Sequence, residues 1–189
     1  MLKLKVISST VRPGRKGPLI GRWVTDLANS QGNFEAELLD LGEIGLPLMN
    51  EPVHPAMQQY EHEHTKAWSA KIAEADAYIF VTAEYDYSYP APLKNALEYL
   101  LHEWGYKPAG IISYSIGPFA GVRAAQNLKN DLLPLKVITV AEVPIPIVDS
   151  FINEEGAFVP TEQILANTTA IFGQLSRWAK GLKVIKEDA

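Results

Sequence analysis

The chain has 189 residues, about one domain, and 47% of them are hydrophobic, which is enough to fill one sizeable core. Its 17 Lys and Arg against 22 Asp and Glu give a formal charge of −5, which argues against a protein that coats nucleic acid or an anionic membrane. Because cysteine is absent, disulfides, thiolate metal sites and cysteine nucleophiles are excluded, and any electron transfer needs a bound cofactor.

Short apolar segments alternate with helical patterns along the whole chain, which is typical of βαβ units. The expected strands are Leu2–Ser8, Phe34–Leu41, Ala77–Thr82, Ala109–Tyr114 and Leu135–Val140. The expected helices are Pro18–Ser30, Met57–Ala75, Leu93–Trp104, Gly121–Leu132 and Glu162–Leu182, and the stretches Gly42–Pro55 and Glu142–Pro160 are expected to be irregular. The pattern predicts one α/β domain over residues 1–189, an open three-layer sandwich with the flavodoxin-like strand order 2-1-3-4-5. A Rossmann order is the alternative.

The segment after the first strand, Ser9–Pro18, combines two hydroxyls, three cations and two glycines and leads directly into a helix. Free backbone N–H groups and the macrodipole make such a helix start attractive to an anion, and a phosphate monoester fits. The segment contains neither G-x-x-x-x-G-K-[ST] nor G-x-G-x-x-G, so the nucleoside triphosphate and conventional dinucleotide fingerprints are missing. An exposed basic turn without a ligand is the alternative.

Two more segments follow neighbouring strands of the predicted sheet. Ala83–Pro90 places three tyrosines within five positions, which can face a flat polar ring or pack against a helix or a partner subunit. Ser113–Gly121 is rich in small residues that allow a ligand to approach the backbone. Together the three segments describe a site for a mononucleotide with a planar head, and FMN satisfies them better than AMP-like ligands do.

Two motifs resemble the NADPH-dependent FMN reductase family, whose members include quinone, azo-dye and chromate reductases. The family pattern of a small residue, Ser, any residue and Arg appears as Ser9–Arg12. The signature P-E-Y-N-x-x-x-P-x-x-L-K-N-A-L-D appears as Ala83–Glu98, with Ala83 and Asp86 in place of Pro and Asn. The stretch His102–Ala109 is similar to the branch of yeast-type NAD(P)H:quinone and azo reductases.

The resemblance implies FMN as cofactor and NADPH or NADH as co-substrate. The phosphate would be held by the hydroxyl of Thr10, with Ser9 a weaker candidate, by Arg12 and Arg15, and by the amides of Gly17, Pro18 and Leu19. The isoalloxazine would lie along Glu84, Tyr85, Asp86 and Tyr87, with Ser115 and Gly117 at its edge. No catalytic side chain is expected, because the flavin carries the hydride.

The implied activity is reduction of quinones, azo compounds or similar small acceptors by NAD(P)H, in ping-pong hydride transfer. The resemblance also implies a homodimer or a dimer of dimers, with the Leu93–Trp104 helix as the candidate interface. No signal peptide and no run of about 18 apolar residues is present, so we expect a cytoplasmic protein that binds neither membrane nor nucleic acid.

Three alternatives remain at this stage. A flavodoxin-type electron carrier would bind FMN without oxidising NAD(P)H itself. A hydrolase would use Ser88 or Ser115 as nucleophile, although neither lies in G-x-S-x-G. A metal site would use His54, His62 and His64, although a spacing of two places His62 and His64 on different faces of a helix.

Overall fold

Five parallel strands form the centre of the fold in the order β2-β1-β3-β4-β5. The computed structural model describes residues 1–187. Its strands are β1 (Leu2–Ser8), β2 (Phe34–Asp40), β3 (Ala77–Ala83), β4 (Lys107–Tyr114) and β5 (Val137–Ile145). The predicted flavodoxin-like order is therefore confirmed, and the Rossmann alternative is wrong.

Helices cover both faces of the sheet. They are α1 (Gly17–Ser30), α2 (Leu41–Ile44), α3 (Glu63–Ala73), α4 (Ala91–Glu98), α5 (Val122–Leu132) and α6 (Glu162–Glu187). Helices α1 and α6 pack on one face, whereas α3, α4 and α5 pack on the other. Successive β1 side chains alternate between the two cores, Val6 lying with α1 and Ile7 with α3. None of the helices within residues 1–187 combines the length and apolar character that a bilayer span requires.

The two central strands are buried along their whole length. Every residue of β3 and β4 is buried, so both strands are apolar without alternation, as expected for strands covered on two faces. Gly110 in β4 lets α6 approach closely, because a Cβ there would lie 2.9 Å from Ile171.

Several element boundaries differ from the prediction. The helix expected from Met57 begins at Glu63, because Gln58 adopts a left-handed conformation (φ 51°) that ends a short 3-10 turn. The helix expected to reach Trp104 ends at Glu98, because Leu101 leaves the helical region (φ −128°). Strand β5 continues to Ile145 into the stretch that was expected to be irregular.

The apolar residues of Leu93–Trp104 are largely buried within the chain itself. Leu93, Leu97 and Leu100 lie in the core, and Trp104 packs edge-on against Trp68 with 5.9 Å between ring centroids. The wide apolar stripe thus packs against both the sheet and α3. The structure therefore does not support that stripe as the predicted subunit interface.

A cluster of ion pairs lies near the amino ends of β1 and β2. The buried Lys5 ammonium contacts both Glu37 and Glu74, and Lys3 Nζ lies 3.0 Å from Glu74 Oε2. Hydrogen bonds from Lys5 and Lys3 lower the pKa of Glu74 to about 2. A buried lysine is therefore paired with two glutamates from neighbouring elements.

This cluster predicts a specific acid sensitivity. Since the pKa of Glu74 falls from 4.5 to about 2 on folding, its stabilising contribution is present above pH 4.5 and is lost as the pH falls toward 2. Urea unfolding between pH 5 and pH 2.5 should therefore show a shallower loss of stability in Glu74→Gln than in the wild type. Glu154→Gln, at an exposed position, is the control and should follow the wild type. Equal slopes for wild type and Glu74→Gln would contradict the assignment.

Candidate functional site

Three loops meet at the carboxyl edge of the sheet. They follow β1, β3 and β4, which are neighbours in the strand order, and β1 is where the order reverses. Ligands of open parallel sheets bind beside such a reversal. The three segments singled out in the sequence therefore lie side by side.

The loop after β1 is built around a tight turn at Arg12–Arg15. Pro13 and Gly14 occupy its centre, Gly14 has φ 73°, and Arg15 N–H donates to Arg12 O at 3.3 Å, as in a type II turn. Within residues 1–187 the backbone N–H groups of Thr10, Val11 and Arg12 have no acceptor. Unpaired N–H groups beside a helix start provide donors for an anion.

Three hydroxyls converge on Gly17, the first residue of α1. A Cβ at this position would lie 2.6 Å from Thr10 Oγ1, 2.7 Å from Ser8 Oγ and 3.1 Å from Tyr114 OH. Ser8 Oγ is fully buried and has no hydrogen-bond partner within the described residues. Only glycine leaves room for these three hydroxyls, which we call the hydroxyl cluster. Within residues 1–187, the Ser8 hydroxyl of this cluster has no acceptor for its hydrogen.

Two of the three predicted backbone donors are not available to a phosphate. Pro18 has no N–H, and Leu19 N–H donates to Lys16 O at 3.0 Å. The Leu19 side chain instead lines a groove of about 640 Å³ on the outer face of α1, formed with Trp23 and Phe158. Of the three predicted amides, only that of Gly17 has an N–H without an acceptor within residues 1–187.

The cations of this loop point in different directions. Arg12 is exposed, and its guanidinium carbon lies 5.7 Å from the centroid of the Tyr85 ring. Arg15 Nη2 donates to the buried Asp40 at 2.6 Å, so this guanidinium is paired rather than free, although its buried Nε has no partner within residues 1–187. Lys16 Nζ lies 3.3 Å from Asp149. Within the described residues, Arg12 is therefore the cation of the turn that has no acidic partner, and Arg15 fixes the turn to the end of β2.

The loop after β3 forms a two-residue hairpin. Tyr85 and Ser88 exchange backbone hydrogen bonds of 2.8 and 2.9 Å, and both central residues, Asp86 (φ 47°) and Tyr87 (φ 67°), are left-handed. This is the geometry of a type I′ turn, for which Asp is well suited at the first position. A tyrosine at the second position is strained, and such strain clusters at ligand sites. The hairpin leaves the Tyr87 ring 67% exposed.

Glu84 and Arg123 form an ion pair that the sequence analysis missed. The Glu84 side chain is only 8% exposed, and it accepts from Arg123 Nε at 2.7 Å and from the Arg123 backbone N–H at 3.2 Å. Burial opposes ionisation, but the hydrogen bond from Arg123 lowers the pKa of Glu84 below its ordinary value. The Glu84 carboxylate is therefore held by α5.

Arg123 also holds two exposed aromatic rings. Its guanidinium carbon lies 3.9 Å from the centroid of Tyr87 and 5.0 Å from that of Phe119. Phe119 is 63% exposed and belongs to the loop after β4. Arg123 thus ties the second and third loops into one aromatic wall. The sequence signal was a cation in the first turn of a helix, where the macrodipole disfavours it.

The loop after β4 is anchored to the segment that follows β5. Ser115 Oγ donates to Gly117 O at 2.9 Å, and Ile147 N–H donates to the same carbonyl at 3.2 Å. A Cβ on Gly117 would meet nothing within 4 Å. Gly117 therefore borders open space, as a contact with a ligand edge requires.

The arrangement of these side chains does not favour the hydrolase alternative or the metal-site alternative. Ser115 Oγ donates its hydrogen to a backbone carbonyl rather than to a base, so the structure does not favour it as a nucleophile. His62 and His64 stack with 5.1 Å between ring centroids, and both contact Asn50. Within residues 1–187 no three His, Cys, Asp or Glu side chains are placed to hold a metal ion.

Comparison with known proteins gives one consistent result. The family model described as NADPH-dependent FMN reductase matches residues 2–148. An NAD(P)H-dependent FMN reductase of Schizosaccharomyces pombe is 42% identical over 144 residues, covering 75% of this chain and 71% of the relative. A 2-hydroxy-1,4-benzoquinone reductase of Burkholderia sp. is 28% identical over 193 residues, covering 97% of this chain and 99% of the relative.

A solved structure shares the fold over almost the whole chain. It is a flavoenzyme NAD(P)H:(acceptor) oxidoreductase from Paracoccus denitrificans, with a TM-score of 0.74 and 22% identity. The alignment covers 96% of this chain and 98% of the other.

Proposed function

Because the chain belongs to the NADPH-dependent FMN reductase family, we propose that it binds FMN at the carboxyl edge of its sheet and uses NAD(P)H to reduce quinones, azo compounds or similar small acceptors. The observation that carries this proposal is the hydroxyl cluster at the start of α1. It places Thr10 Oγ1 and Ser8 Oγ, which has no partner within residues 1–187, around a glycine that leaves room for both hydroxyls.

The residues present suit the phosphate of FMN. A phosphate needs several donors, and the loop after β1 offers the Thr10 hydroxyl and the N–H groups of Thr10, Val11 and Arg12. Ser8, the last residue of β1, adds a second hydroxyl. Arg12 adds a charge-assisted donor at the rim. Ser9 is less suited, because its hydroxyl donates to Thr82 Oγ1 at 3.1 Å inside the sheet.

FMN, when bound, supplies hydride transfer between NAD(P)H and the acceptor, with the two substrates taking turns in a ping-pong cycle. The chain positions the reactants. Tyr85, the Asp86 backbone and Tyr87 line the ring side of the site, and Ser115 and Gly117 border its far edge. Tyr87 and Phe119 expose flat faces held by Arg123, which suits a planar aromatic acceptor.

Arg12 is expected to contribute strongly to FMN binding, although it lies on a loop. Arg12→Ala should weaken FMN binding by about 1.5–3 kcal/mol, because it removes the available cation of the turn. Fluorescence titration of the apoprotein with FMN measures this. Arg22→Ala, an exposed change on the outer face of α1, should leave the dissociation constant unaltered. An Arg12→Ala protein with wild-type affinity would remove Arg12 from the phosphate site.

The activity is tested by steady-state kinetics with p-benzoquinone and no partner protein. A reductase consumes NAD(P)H under these conditions, and parallel double-reciprocal lines at several quinone concentrations support the ping-pong order. A flavodoxin-type carrier would contain FMN but would fail to oxidise NAD(P)H, and that result would overturn the proposal. A homodimer or a dimer of dimers and a cytoplasmic location remain predictions from the sequence.

A further inference from the structure

Tyr114, the last residue of β4, reaches the hydroxyl cluster from two strands away. Its side chain is only 4% exposed, and its phenol oxygen lies 3.3 Å from Thr10 Oγ1. Strand β3 lies between β4 and β1, and Tyr114 is in register with Ala83, the last residue of β3, so the ring crosses this end of β3 to make the contact. The phenol therefore lies directly beneath the turn to which we assign the FMN phosphate.

The direction of the contact follows from the burial of the phenol. Within residues 1–187, Thr10 Oγ1 is the one hydrogen-bond partner of the Tyr114 oxygen. A phenol has one hydrogen, and buried polar hydrogens are nearly always paired, so this hydrogen is assigned to Thr10 Oγ1. The Thr10 oxygen then accepts from Tyr114, and its own hydrogen is left to donate elsewhere.

We propose that Tyr114 is a positioning residue for the FMN phosphate: its O–H donates to Thr10 Oγ1 and thereby turns the Thr10 hydroxyl hydrogen toward the phosphate. This proposal rests on the proposed function, because it concerns the same site. The chain of donors runs from Tyr114 through Thr10 to the phosphate, and each bond in such a chain polarises the next.

The surroundings of Tyr114 agree with a donor role. Burial raises the pKa of Tyr114 to about 12, so the phenol keeps its hydrogen throughout the neutral range. The other buried tyrosines of the core differ in their partners. Tyr78 OH donates to Ile72 O, Tyr89 OH donates to the Asp131 carboxylate, and Tyr99 OH contacts Pro47 O and Asn50 Oδ1. Tyr114 instead contacts Thr10 in the loop after β1.

The test compares two ligands that differ only in the phosphate. The apoproteins of wild type and Tyr114→Phe are titrated with FMN and with riboflavin, and flavin fluorescence reports the dissociation constants. Tyr114→Phe should weaken FMN binding about fivefold to tenfold, the value of one hydrogen bond, and leave riboflavin binding unchanged. Tyr106→Phe, which alters a tyrosine at the opposite end of β4, is the matched control and should change neither constant.

A second variant tests the relay without altering Tyr114. Thr10→Val should show the same loss for FMN alone, and adding Tyr114→Phe to Thr10→Val should produce less than about a further twofold loss, because both act through one hydroxyl. The proposal is overturned if Tyr114→Phe leaves FMN binding intact, if it weakens FMN and riboflavin equally, or if the two substitutions are additive. A wild-type protein that binds neither flavin would instead overturn the proposed function.

Discussion

Replacing Gly17 by alanine is expected to weaken FMN binding by about 150-fold, the equivalent of two hydrogen bonds to a charged group at about 1.5 kcal/mol each. The added methyl group would lie 2.6 Å from Thr10 Oγ1 and 2.7 Å from Ser8 Oγ. Both hydroxyls must then rotate away, and the turn loses them as donors. Because these atoms end short side chains, the clash affects the ligand more than the fold. Equilibrium titration with FMN measures the effect.

Gly173→Ala is the matched control for this change. Gly173 lies in α6, and a Cβ there meets nothing within 4 Å, so alanine should leave FMN binding unchanged and stabilise the helix by up to about 1 kcal/mol. Wild-type FMN affinity in Gly17→Ala would show that the hydroxyl cluster does not hold the phosphate.

Arg123→Met is expected to lower the free energy of unfolding by about 2 kcal/mol, because it leaves the buried Glu84 carboxylate without its cation. The expected loss of stability is smaller than for a fully buried ion pair, because the Arg123 side chain is 37% exposed. The Tyr87 and Phe119 rings also lose the guanidinium that lies against both. We therefore expect a raised KM for quinone together with a lower unfolding midpoint in urea.

The double variant Glu84→Gln/Arg123→Met separates the charge from the packing. Removing the carboxylate charge as well should recover a large part of the lost stability, as a double-mutant cycle with a favourable coupling requires. Arg22→Met, at an exposed site, controls for the substitution type. Strict additivity of Glu84→Gln and Arg123→Met would show that the pair does not stabilise the fold.

The sheet order could be predicted because its central strands are buried on both faces. The full length of strand β5 was harder to predict, because Glu142 and Pro144 are residue types that are common in loops. They are tolerated because β5 is an edge strand, where a missing N–H costs little. The periodicity of Leu93–Trp104 correctly marked buried residues, but burial after Glu98 is achieved by a turn rather than by a helix. Periodicity reports which side chains are buried better than it reports backbone geometry.

Within the site, the sequence located the three loops but not the contacts between them. Arg15 looked like a phosphate ligand because its partner, Asp40, lies on another strand. The Glu84–Arg123 pair and the Thr10–Tyr114 contact likewise join loops that are distant in the chain. Such pairings depend on the strand order and on side-chain directions. A buried tyrosine at a strand end was the one signal for Tyr114, since buried phenols usually find a partner.

The central claim is that FMN is held by its phosphate in the loop between β1 and α1. A crystal structure of the protein with FMN tests it most directly. We predict phosphate oxygens at hydrogen-bond distance, about 2.7–3.2 Å, from Thr10 Oγ1 and from backbone nitrogens of Thr10–Arg12. A flavin bound elsewhere, or one whose phosphate extends into solvent away from Gly17, would contradict the account.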